Sequence, residues 1–260
     1  MEAERYTGIT FYIASDQGTR EYQQDKGYAQ IQNGFGMAIL CDGMGGMNGG
    51  ERASHLAVQQ FVQDVNHSWP LKNISDFMEN EIRYLDRLVY DLRDDSGERL
   101  NAGSTAVAAI IEDNRLYWVS VGDSRMYLLR EGRLRCLTAQ HNYKTMLQDK
   151  LSAGAINLEY YNAEIHQGEA LTSYLGMGQL PLVDTNHVPL ELYQEDMLLL
   201  CSDGLYKTLS DEQIQALLEE CGGHLFLAAE RLIETARRLG GRGQDNTTLI
   251  LMKLEQTEKH

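Results

Sequence analysis

The sequence predicts an α+β fold, in which runs of β-strands are separated by pairs of long helices. Short apolar or alternating segments bounded by Gly, Asp and Asn are typical of strands, and they occur in groups along the chain. Longer segments between these groups carry apolar residues at the three-and-four spacing of amphipathic helices. The strands are numerous enough for two sheets, and we expect the helices to cover their outer faces.

The first third of the chain predicts three strands followed by two helices. The strands lie at Ile9–Ala14, Lys26–Ile31 and Gly34–Cys41. The apolar face of the first helix carries Ala53, Leu56, Ala57, Phe61 and Val65, and that of the second carries Ile74, Phe77, Met78, Ile82, Leu85, Leu88, Val89 and Leu92. Polar residues fill the opposite faces, so one side of each helix should pack against a sheet.

The middle of the chain predicts a meander of antiparallel strands. Thr105–Ile111, Leu116–Val121 and Arg125–Leu129 follow one another across short turns, and Arg133–Leu137 adds a fourth strand. Close strands joined by such short turns pair antiparallel.

The last part of the chain is less regular at first. We expect a helix near Tyr143–Ala153, then an irregular segment up to Asp184 that is mobile and governs substrate choice, since long loops in compact domains are usually functional. Later strands are predicted at His187–Leu192, Met197–Cys201 and Thr247–Lys253. Two helices lie between the last two strands: one begins at Ser210 with a capping box to Gln213, and the other spans about Leu225–Leu239.

Composition limits the class of protein. The 260 residues are 43% hydrophobic and 23% charged, which are ordinary globular values, and the formal charge of -15 disfavours nucleic acid and anionic membranes as partners. No apolar run is long enough to span a bilayer, and the N-terminus lacks a secretory pattern. The four cysteines form no C-x-x-C pair, which favours a reducing compartment. We therefore expect a cytoplasmic protein.

No linker composition and no repeat divides the chain. Only three prolines occur, and no stretch is rich in Pro, Ser or Gly for long enough to act as a linker. We predict a single domain over residues 1–254, with its core starting near Tyr6, and a polar tail at 255–260.

Four aspartates lie at the ends of segments that should be buried strands: Asp42, Asp123, Asp203 and Asp245. Taken one at a time, aspartates at strand ends are most often turn residues. Strands of one sheet can nevertheless bring their ends to a common edge, where several carboxylates repel one another unless a cation binds. Ligands that are all oxygen atoms favour hard ions such as Mg²⁺ or Mn²⁺ over zinc.

A glycine-rich loop follows the first of these aspartates. Asp42–Gly50 contains five glycines in nine residues and leads into the predicted helix around Ala53. Such a loop lets backbone atoms approach an ion or a phosphate closely, and a helix N-terminus favours anions. It is not a P-loop, because no Gly-Lys-Ser/Thr sequence closes it.

Taken together and in order, these motifs resemble the metal-dependent PP2C-type (PPM) protein phosphatases, especially their bacterial single-domain members. The resembling segments are Arg20–Asp25, Asp42–Gly46 with Gly49 and Ala53-Ser54, Gly103–Thr105, Val121–Arg125, Leu171-Thr172 with Leu175-Gly176, Ser202–Leu205 and Asp245–Thr248. The resemblance implies a four-layer α-β-β-α sandwich with two central antiparallel sheets. It also implies a two-metal centre at one end of the sandwich.

The resemblance implies a role for each matching residue. Asp42, Asp203 and Asp245 would hold the first of two Mg²⁺ or Mn²⁺ ions. Asp42 would bridge to the second ion, which the Gly43 carbonyl would also bind and on which Asp25 would act through water. Asp123 with Asp203 would hold a third, weaker ion, and Arg20 would bind the substrate phosphate.

The implied reaction is metal-dependent hydrolysis of phosphoserine and phosphothreonine in proteins, by a metal-bridging hydroxide that attacks phosphorus in line. Two departures from the family pattern concern side chains near the ions. Met44 and Met47 stand where relatives often carry histidine, so we name no general acid. Gln23 and Gln24 replace the usual residues before Asp25, and we expect them to weaken the second metal site.

Two alternatives remain open. The chain could be a catalytically weak PP2C-like regulatory binding module, for which loss of metal ligands would be the signature, or a phosphatase dedicated to one regulatory protein, such as an anti-sigma antagonist. The retained Asp42, Asp203 and Asp245 favour an enzyme. The expected partners are a phosphorylated protein and a cognate Ser/Thr kinase, with no nucleic acid and no membrane, and we expect a monomer.

Overall fold

The computed structural model describes residues 8–32, 34–46 and 48–255. The predicted start of the domain near Tyr6, the role of position 47 and nearly all of the predicted tail lie outside the described residues. Glu255, the first residue of that predicted tail, is the last residue of the final strand.

The described residues form twelve strands and seven α-helices. The strands are β1 (Gly8–Asp16), β2 (Asp25–Gln32), β3 (Phe35–Met44), β4 (Gly103–Ser104), β5 (Ala106–Glu112), β6 (Arg115–Val121), β7 (Arg125–Arg130), β8 (Arg133–Cys136), β9 (Asp184–Thr185), β10 (Leu190–Glu191), β11 (Met197–Cys201) and β12 (Thr247–Glu255). The helices are α1 (Gly49–Ser68), α2 (Ile74–Tyr90), α3 (Tyr143–Ser152), α4 (Leu158–Glu164), α5 (Asp203–Tyr206), α6 (Asp211–Glu220) and α7 (Leu225–Gly240), with 3₁₀ turns at Ile165–Gln167 and Gly241–Gly243.

The strands form two antiparallel sheets. One has five strands in the order β1-β12-β11-β7-β8, and the other has seven, in the order β10-β6-β5-β3-β2 with β4 beside β3 and β9 beside β6. In the second sheet Asp25 pairs with Asp42 across β2 and β3. Two predicted metal ligands are therefore neighbours through strand register alone.

Successive residues of the central strands point to opposite faces of their sheet and so pack into different layers. In β3, Met37, Ile39 and Cys41 join the core under α1 and α2, while Ala38 and Leu40 join the core between the sheets. Strand β11 repeats this pattern, with alternate residues facing the other sheet and the layer formed by α5, α6 and α7. Both faces of these strands are buried, and their sequences are therefore continuous apolar runs. The predicted four-layer α-β-β-α sandwich is confirmed.

The helices bury the faces that their spacing predicts. In α1, Ala53, Ala57, Phe61 and Val65 are all buried. The capping box at the start of α6 is present: the Ser210 hydroxyl accepts from the Gln213 backbone N–H, and the Gln213 side chain accepts from the Ser210 N–H. None of the helices in the described part of the chain combines the length and apolar character that crossing a membrane requires.

The predicted continuous meander is wrong at one junction. Strands β5 and β6 pair, and so do β7 and β8, but β6 and β7 belong to different sheets. The chain crosses between the sheets at Gly122–Ser124, where Gly122 has a φ of +96° and a Cβ would lie 2.6 Å from the Thr105 side chain. Glycine is required at this close approach. The crossing places Asp123 where the two sheets meet.

The segment between Ala153 and Leu192 also differs from its prediction. Instead of being wholly irregular up to Asp184, it contains α4 and a 3₁₀ turn. The strand predicted at His187–Leu192 is only the two-residue β10, and a second short strand that was not predicted, β9, precedes it; both pair with β6. Pairs this short carry no periodic signal in sequence.

Candidate metal centre

One end of the sandwich carries a cavity of about 330 Å³. The residues lining it include Arg20, Asp42, Gly43, Asp123, Asp203 and Asp245. They come from the β1–β2 loop, the end of β3, the crossing between β6 and β7, the start of α5 and the residues before β12. Folding thus brings these six predicted residues together from distant parts of the chain, and the seventh, Asp25, lies beside Asp42 in the ladder.

Asp25 is a buried carboxylate with one oxygen left over. Its Oδ2 accepts a hydrogen bond of 2.7 Å from the Ser202 hydroxyl, whereas its Oδ1 is buried without a hydrogen-bond partner among the described residues. Burial, with the nearby charges of Asp203 and Asp245, raises the pKa of Asp25 to about 7, although hydrogen bonds to the carboxylate oppose the shift. An unsatisfied buried oxygen is costly unless a cation or a proton meets it.

Asp42 is held by its backbone, which leaves the side chain for the cavity. Its N–H donates to the Thr105 hydroxyl at 3.0 Å, and its carbonyl accepts from the Thr105 N–H at 2.9 Å and from the Ser104 hydroxyl at 3.0 Å. Burial raises the pKa of Asp42 well above its usual range, and the charges of the other four aspartates add to the effect. A bound cation would remove this repulsion.

The glycine loop packs tightly behind Asp42. The Gly43 N–H donates to the Gln24 carbonyl at 3.0 Å, and a Cβ at Gly43 would lie 2.1 Å from the Gly50 carbonyl oxygen. No side chain fits there. The Gln24 side-chain amide donates to the Gly45 carbonyl at 3.1 Å, so this hydrogen bond supports the glycine-rich loop.

Gln23 supports the backbone at Asp25. Its side-chain oxygen accepts from the Asp25 N–H at 3.1 Å, and its amide donates to the Ser15 hydroxyl at 2.9 Å. The two glutamines that depart from the family pattern therefore support the backbone around Asp25 and Asp42. The sequence predicted only that they would weaken the second metal site, which stays a prediction.

Two basic side chains form ion pairs with the aspartates. Arg20 Nη2 lies 2.5 Å from Asp245 Oδ2, and Lys207 Nζ lies 2.8 Å from Asp203 Oδ2. Lys207 also lies 2.9 Å from Glu169 Oε2 and 4.0 Å from Asp123 Oδ2. Lys207 and Glu169 were missed from the sequence, although a lysine four residues after Asp203 was a usable signal.

These contacts shift the pKa values of the groups around Lys207. Burial raises the pKa of Asp123, and Asp203 adds to the rise while Lys207 opposes it. Burial alone would lower the pKa of Lys207, but the carboxylates of Asp203, Glu169 and Asp123 outweigh it and raise the pKa. The hydrogen bond from Lys207 is the main reason that the pKa of Glu169 is lowered.

The residues present fit hard divalent ions. In the described part of the chain, no three acidic, histidine or cysteine side chains already stand in a coordinating arrangement. Two of the five carboxylates instead form hydrogen bonds with Arg20 and Lys207. The mutual repulsion around Asp42 and the unpartnered oxygen of Asp25 are nevertheless features that cations would satisfy.

Two further side chains near the site are engaged elsewhere. His141 is buried, and its Nδ1 accepts from the Gly122 N–H at 3.3 Å, which supports the sheet crossing. Burial lowers the pKa of His141. Arg125 donates to the Tyr127 hydroxyl at 2.8 Å and lies over the Tyr206 ring, 3.7 Å from its centroid.

Comparisons with known proteins agree with this site and fold. The family model described as Protein phosphatase 2C matches residues 29–145. Serine/threonine phosphatase stp of Listeria monocytogenes is 30% identical over 245 residues, which cover 92% of this chain and 93% of that relative. The chain belongs to the protein phosphatase 2C family.

Solved structures resemble this protein phosphatase 2C over nearly its whole length. The crystal structure of the Mycobacterium tuberculosis serine/threonine phosphatase PstP/Ppp has 30% identity and a TM-score of 0.78, covering 95% of this chain and 99% of its own. The catalytic domain of PstP in complex with two manganese ions has 29% identity and a TM-score of 0.75, with the same coverages of 95% and 99%.

Proposed function

We propose that this chain is a metal-dependent serine/threonine protein phosphatase. The observation that carries the proposal is the convergence of Asp42, Asp123, Asp203 and Asp245 with Arg20 in one cavity, beside the unpartnered oxygen of Asp25. Membership of the protein phosphatase 2C family supports it, as do relatives named serine/threonine phosphatases. The substrates are proteins that carry phosphoserine or phosphothreonine.

The carboxylates divide between two divalent ions, Mg²⁺ or Mn²⁺. Asp42, Asp203 and Asp245 would hold the first, and Asp42 and the Gly43 carbonyl would hold the second, on which Asp25 would act through water. When bound, such ions would lower the pKa of water and so would supply hydroxide at neutral pH for attack on phosphorus. The relative that contains two manganese ions supports this number.

Arg20 binds the phosphate. Its guanidinium is exposed at the mouth of the cavity and can present two donors to phosphoryl oxygens. To do so it exchanges its contact with Asp245 for the phosphate, which frees that carboxylate for a cation. Cys41 and Cys201 take no part, since both are buried and burial raises the pKa of each thiol.

The decisive assay is hydrolysis of p-nitrophenyl phosphate and of a phosphothreonine peptide by the pure protein, with Mn²⁺ and with EDTA. We expect turnover that requires the metal. Turnover that persists in EDTA, or none with Mn²⁺, would contradict the proposal.

A catalytically weak regulatory module is the second candidate. It is favoured by the ion pairs of Arg20 with Asp245 and of Lys207 with Asp203, which occupy two metal ligands. Calorimetry distinguishes the two candidates: Mn²⁺ binding supports the enzyme, and its absence supports the module.

The remaining proposals concern organisation and setting. One domain over residues 1–254 is supported by the pairing of β1 with β12, which joins the two ends of the described chain. A reducing, cytoplasmic setting is supported by four free cysteines, of which Cys41, Cys201 and Cys221 are buried. We further propose that the protein is a monomer that acts in bacterial signalling, opposite a Ser/Thr kinase.

A further inference from the structure

Lys207 places one positive charge among three carboxylates at the rim of the metal centre. Its Nζ lies 2.8 Å from Asp203 Oδ2, 2.9 Å from Glu169 Oε2 and 4.0 Å from Asp123 Oδ2. The Asp123 side chain is 6% exposed and the Asp203 side chain 19% exposed, whereas Glu169 is largely in solvent. The two shielded carboxylates are those to which the family resemblance assigns a third, weaker ion.

Local structure fixes the position of this ammonium. Asp203 and Lys207 are separated by one helical turn, and the Lys207 N–H donates to the Asp203 carbonyl at 2.9 Å. Residues four apart on a helical turn face the same side, so the lysine side chain reaches the aspartate that precedes it. The contact needs no rearrangement elsewhere in the fold.

An ammonium and a divalent ion cannot share this place. A protonated lysine has three donors and no lone pair, so it neutralises carboxylates but cannot ligate a metal. An ion held by Asp123 and Asp203 would compete for the same carboxylate oxygens and would be repelled by the nearby positive charge. The lysine supplies the charge that an ion would otherwise bring.

We propose that the Lys207 ammonium takes the place of a third divalent ion at Asp123 and Asp203, so that this chain binds two ions. The inference rests on the proposed two-metal centre and replaces the sequence-based expectation of a third ion. Lys207 is a positioning residue: it orients Asp123 and Asp203. Through Glu169 it also ties the segment before Leu171 to the rim of the cavity.

The test is the number of Mn²⁺ ions bound at saturation. Equilibrium dialysis with elemental analysis, and calorimetry for affinity, are carried out on the whole chain and on Lys207→Ala, Lys207→Arg and the surface control Lys72→Ala. We expect two ions for the unaltered chain, for Lys207→Arg, which keeps the charge, and for the control. Lys207→Ala should gain a third, weaker site, and adding Asp123→Asn should remove that site again.

A second measurement does not depend on the lysine variants. In the otherwise unaltered chain, Asp123→Asn should leave the number of bound ions at two. A third ion that Asp123→Asn removes from the unaltered chain would overturn the inference, and so would a folded Lys207→Ala that still binds two. No Mn²⁺ binding and no turnover would instead overturn the proposed function, whereas three ions with intact turnover would overturn only the role of Lys207.

Discussion

Arg20 donates a hydrogen bond to Asp245, with 2.5 Å between Nη2 and Oδ2. Both side chains are partly exposed, so the pair is weak in water and can open when phosphate or a cation enters. We expect Arg20→Ala to raise KM for a phosphothreonine peptide about 10- to 100-fold, the value of a charge-assisted hydrogen bond. The fall in kcat should be smaller. Steady-state kinetics at saturating Mn²⁺ measure both.

The same substitution should tighten Mn²⁺ binding, because it frees Asp245 from its ion pair. Arg238→Ala removes an equal charge from an exposed residue in the last turn of α7 that does not line the cavity, and it serves as the matched control. An unchanged KM in Arg20→Ala would show that the guanidinium does not bind the phosphate.

Substitutions of Asp42 and Asp203 should lower turnover far more than substitution of Asp25. We expect Asp42→Ala and Asp203→Ala to lower turnover on the order of 10³-fold or more, as losing a principal transition-state stabiliser does. Asp25→Asn, which alters a group acting through water, should cost about 10- to 100-fold. Phosphopeptide turnover at matched Mn²⁺ gives the ranking, with exposed Asp95→Ala as control.

Melting in EDTA separates a chemical defect from a folding defect in these variants. Without metal, the Asp42 carboxylate of the unaltered chain is repelled by the neighbouring aspartates. Asp42→Ala removes this repulsion, so its melting temperature in EDTA should be no lower than that of the unaltered chain. A large drop in its melting temperature would show that the aspartate acts chiefly in the fold.

Gly43 and Gly46 make a matched pair in one loop. A Cβ at Gly43 would lie 2.1 Å from the Gly50 carbonyl oxygen, whereas nothing lies within 4 Å of a Cβ at Gly46. We expect Gly43→Ala to cost about 1–3 kcal/mol of stability through overpacking and to weaken Mn²⁺ binding. Gly46→Ala should change neither. Melting curves and Mn²⁺ calorimetry on both variants check the contrast, and equal tolerance at the two positions would contradict it.

Much of the fold was predictable because burial leaves a period in the sequence. The apolar run before Asp42 and the spacing of Ala53, Ala57 and Phe61 in α1 fixed their elements to within a few residues. The separation of β6 and β7 into different sheets was not predictable, because Gly122 looks the same in a hairpin and at a crossing between sheets. Only the tertiary contact with Thr105 decides between them.

The site shows the same division. The aspartates could be found because each follows or precedes a recognisable strand. The spacing of Lys207 from Asp203 was a usable signal, but the contact of Lys207 with Glu169 and the bracing role of Gln24 could not be assigned, because single polar side chains carry no periodicity and these partners are distant in sequence. Such contacts become visible only when the fold brings separate segments of the chain together.

The segment after Ala153 should show two levels of hydrogen exchange. Helix α4 and the following 3₁₀ turn bury no residue, so we expect fast exchange there. The backbone N–H groups of Gly176, Met177 and Gly178 instead all donate to Asp86 Oδ1, at 2.8 to 3.1 Å. These three amides should exchange slowly. We therefore expect the mobility predicted from sequence only in the first part of the segment.

Asp86 gives this expectation a matched pair of variants. Asp86→Ala removes the acceptor and should speed exchange at residues 176–178 by about tenfold or more, since a hydrogen bond to a charged group is worth about 1.5–3 kcal/mol. Asp86→Asn keeps Oδ1 and should preserve most of the protection. Strong protection throughout α4, or no effect of Asp86→Ala, would count against this division.

Glu81 should make stability depend on pH. It is 7% exposed, its Oε1 lacks a hydrogen-bond partner in the described residues, and burial with the charge of Asp64 raises the pKa of Glu81 from 4.5 to about 8. Below pH 4.5 both the folded and the unfolded chain hold this proton. Between these two values the unfolded chain releases it first, so the free energy of unfolding falls as pH rises to about 8 and stays lowered above it.

Glu81→Gln should remove that loss while keeping the shape of the side chain. We expect it to stabilise the chain by on the order of 3 kcal/mol at pH 9 and by little at pH 4.5. Urea unfolding in EDTA across this pH range gives the free energy of unfolding of the variant and of the unaltered chain. The titration of the metal-centre carboxylates contributes equally to both, so it cancels in their difference. Glu79→Gln, on the same helix but paired with Arg83, is the control. A gain from Glu81→Gln that is equal at pH 5 and pH 9 would show that Glu81 does not hold its proton in the folded chain.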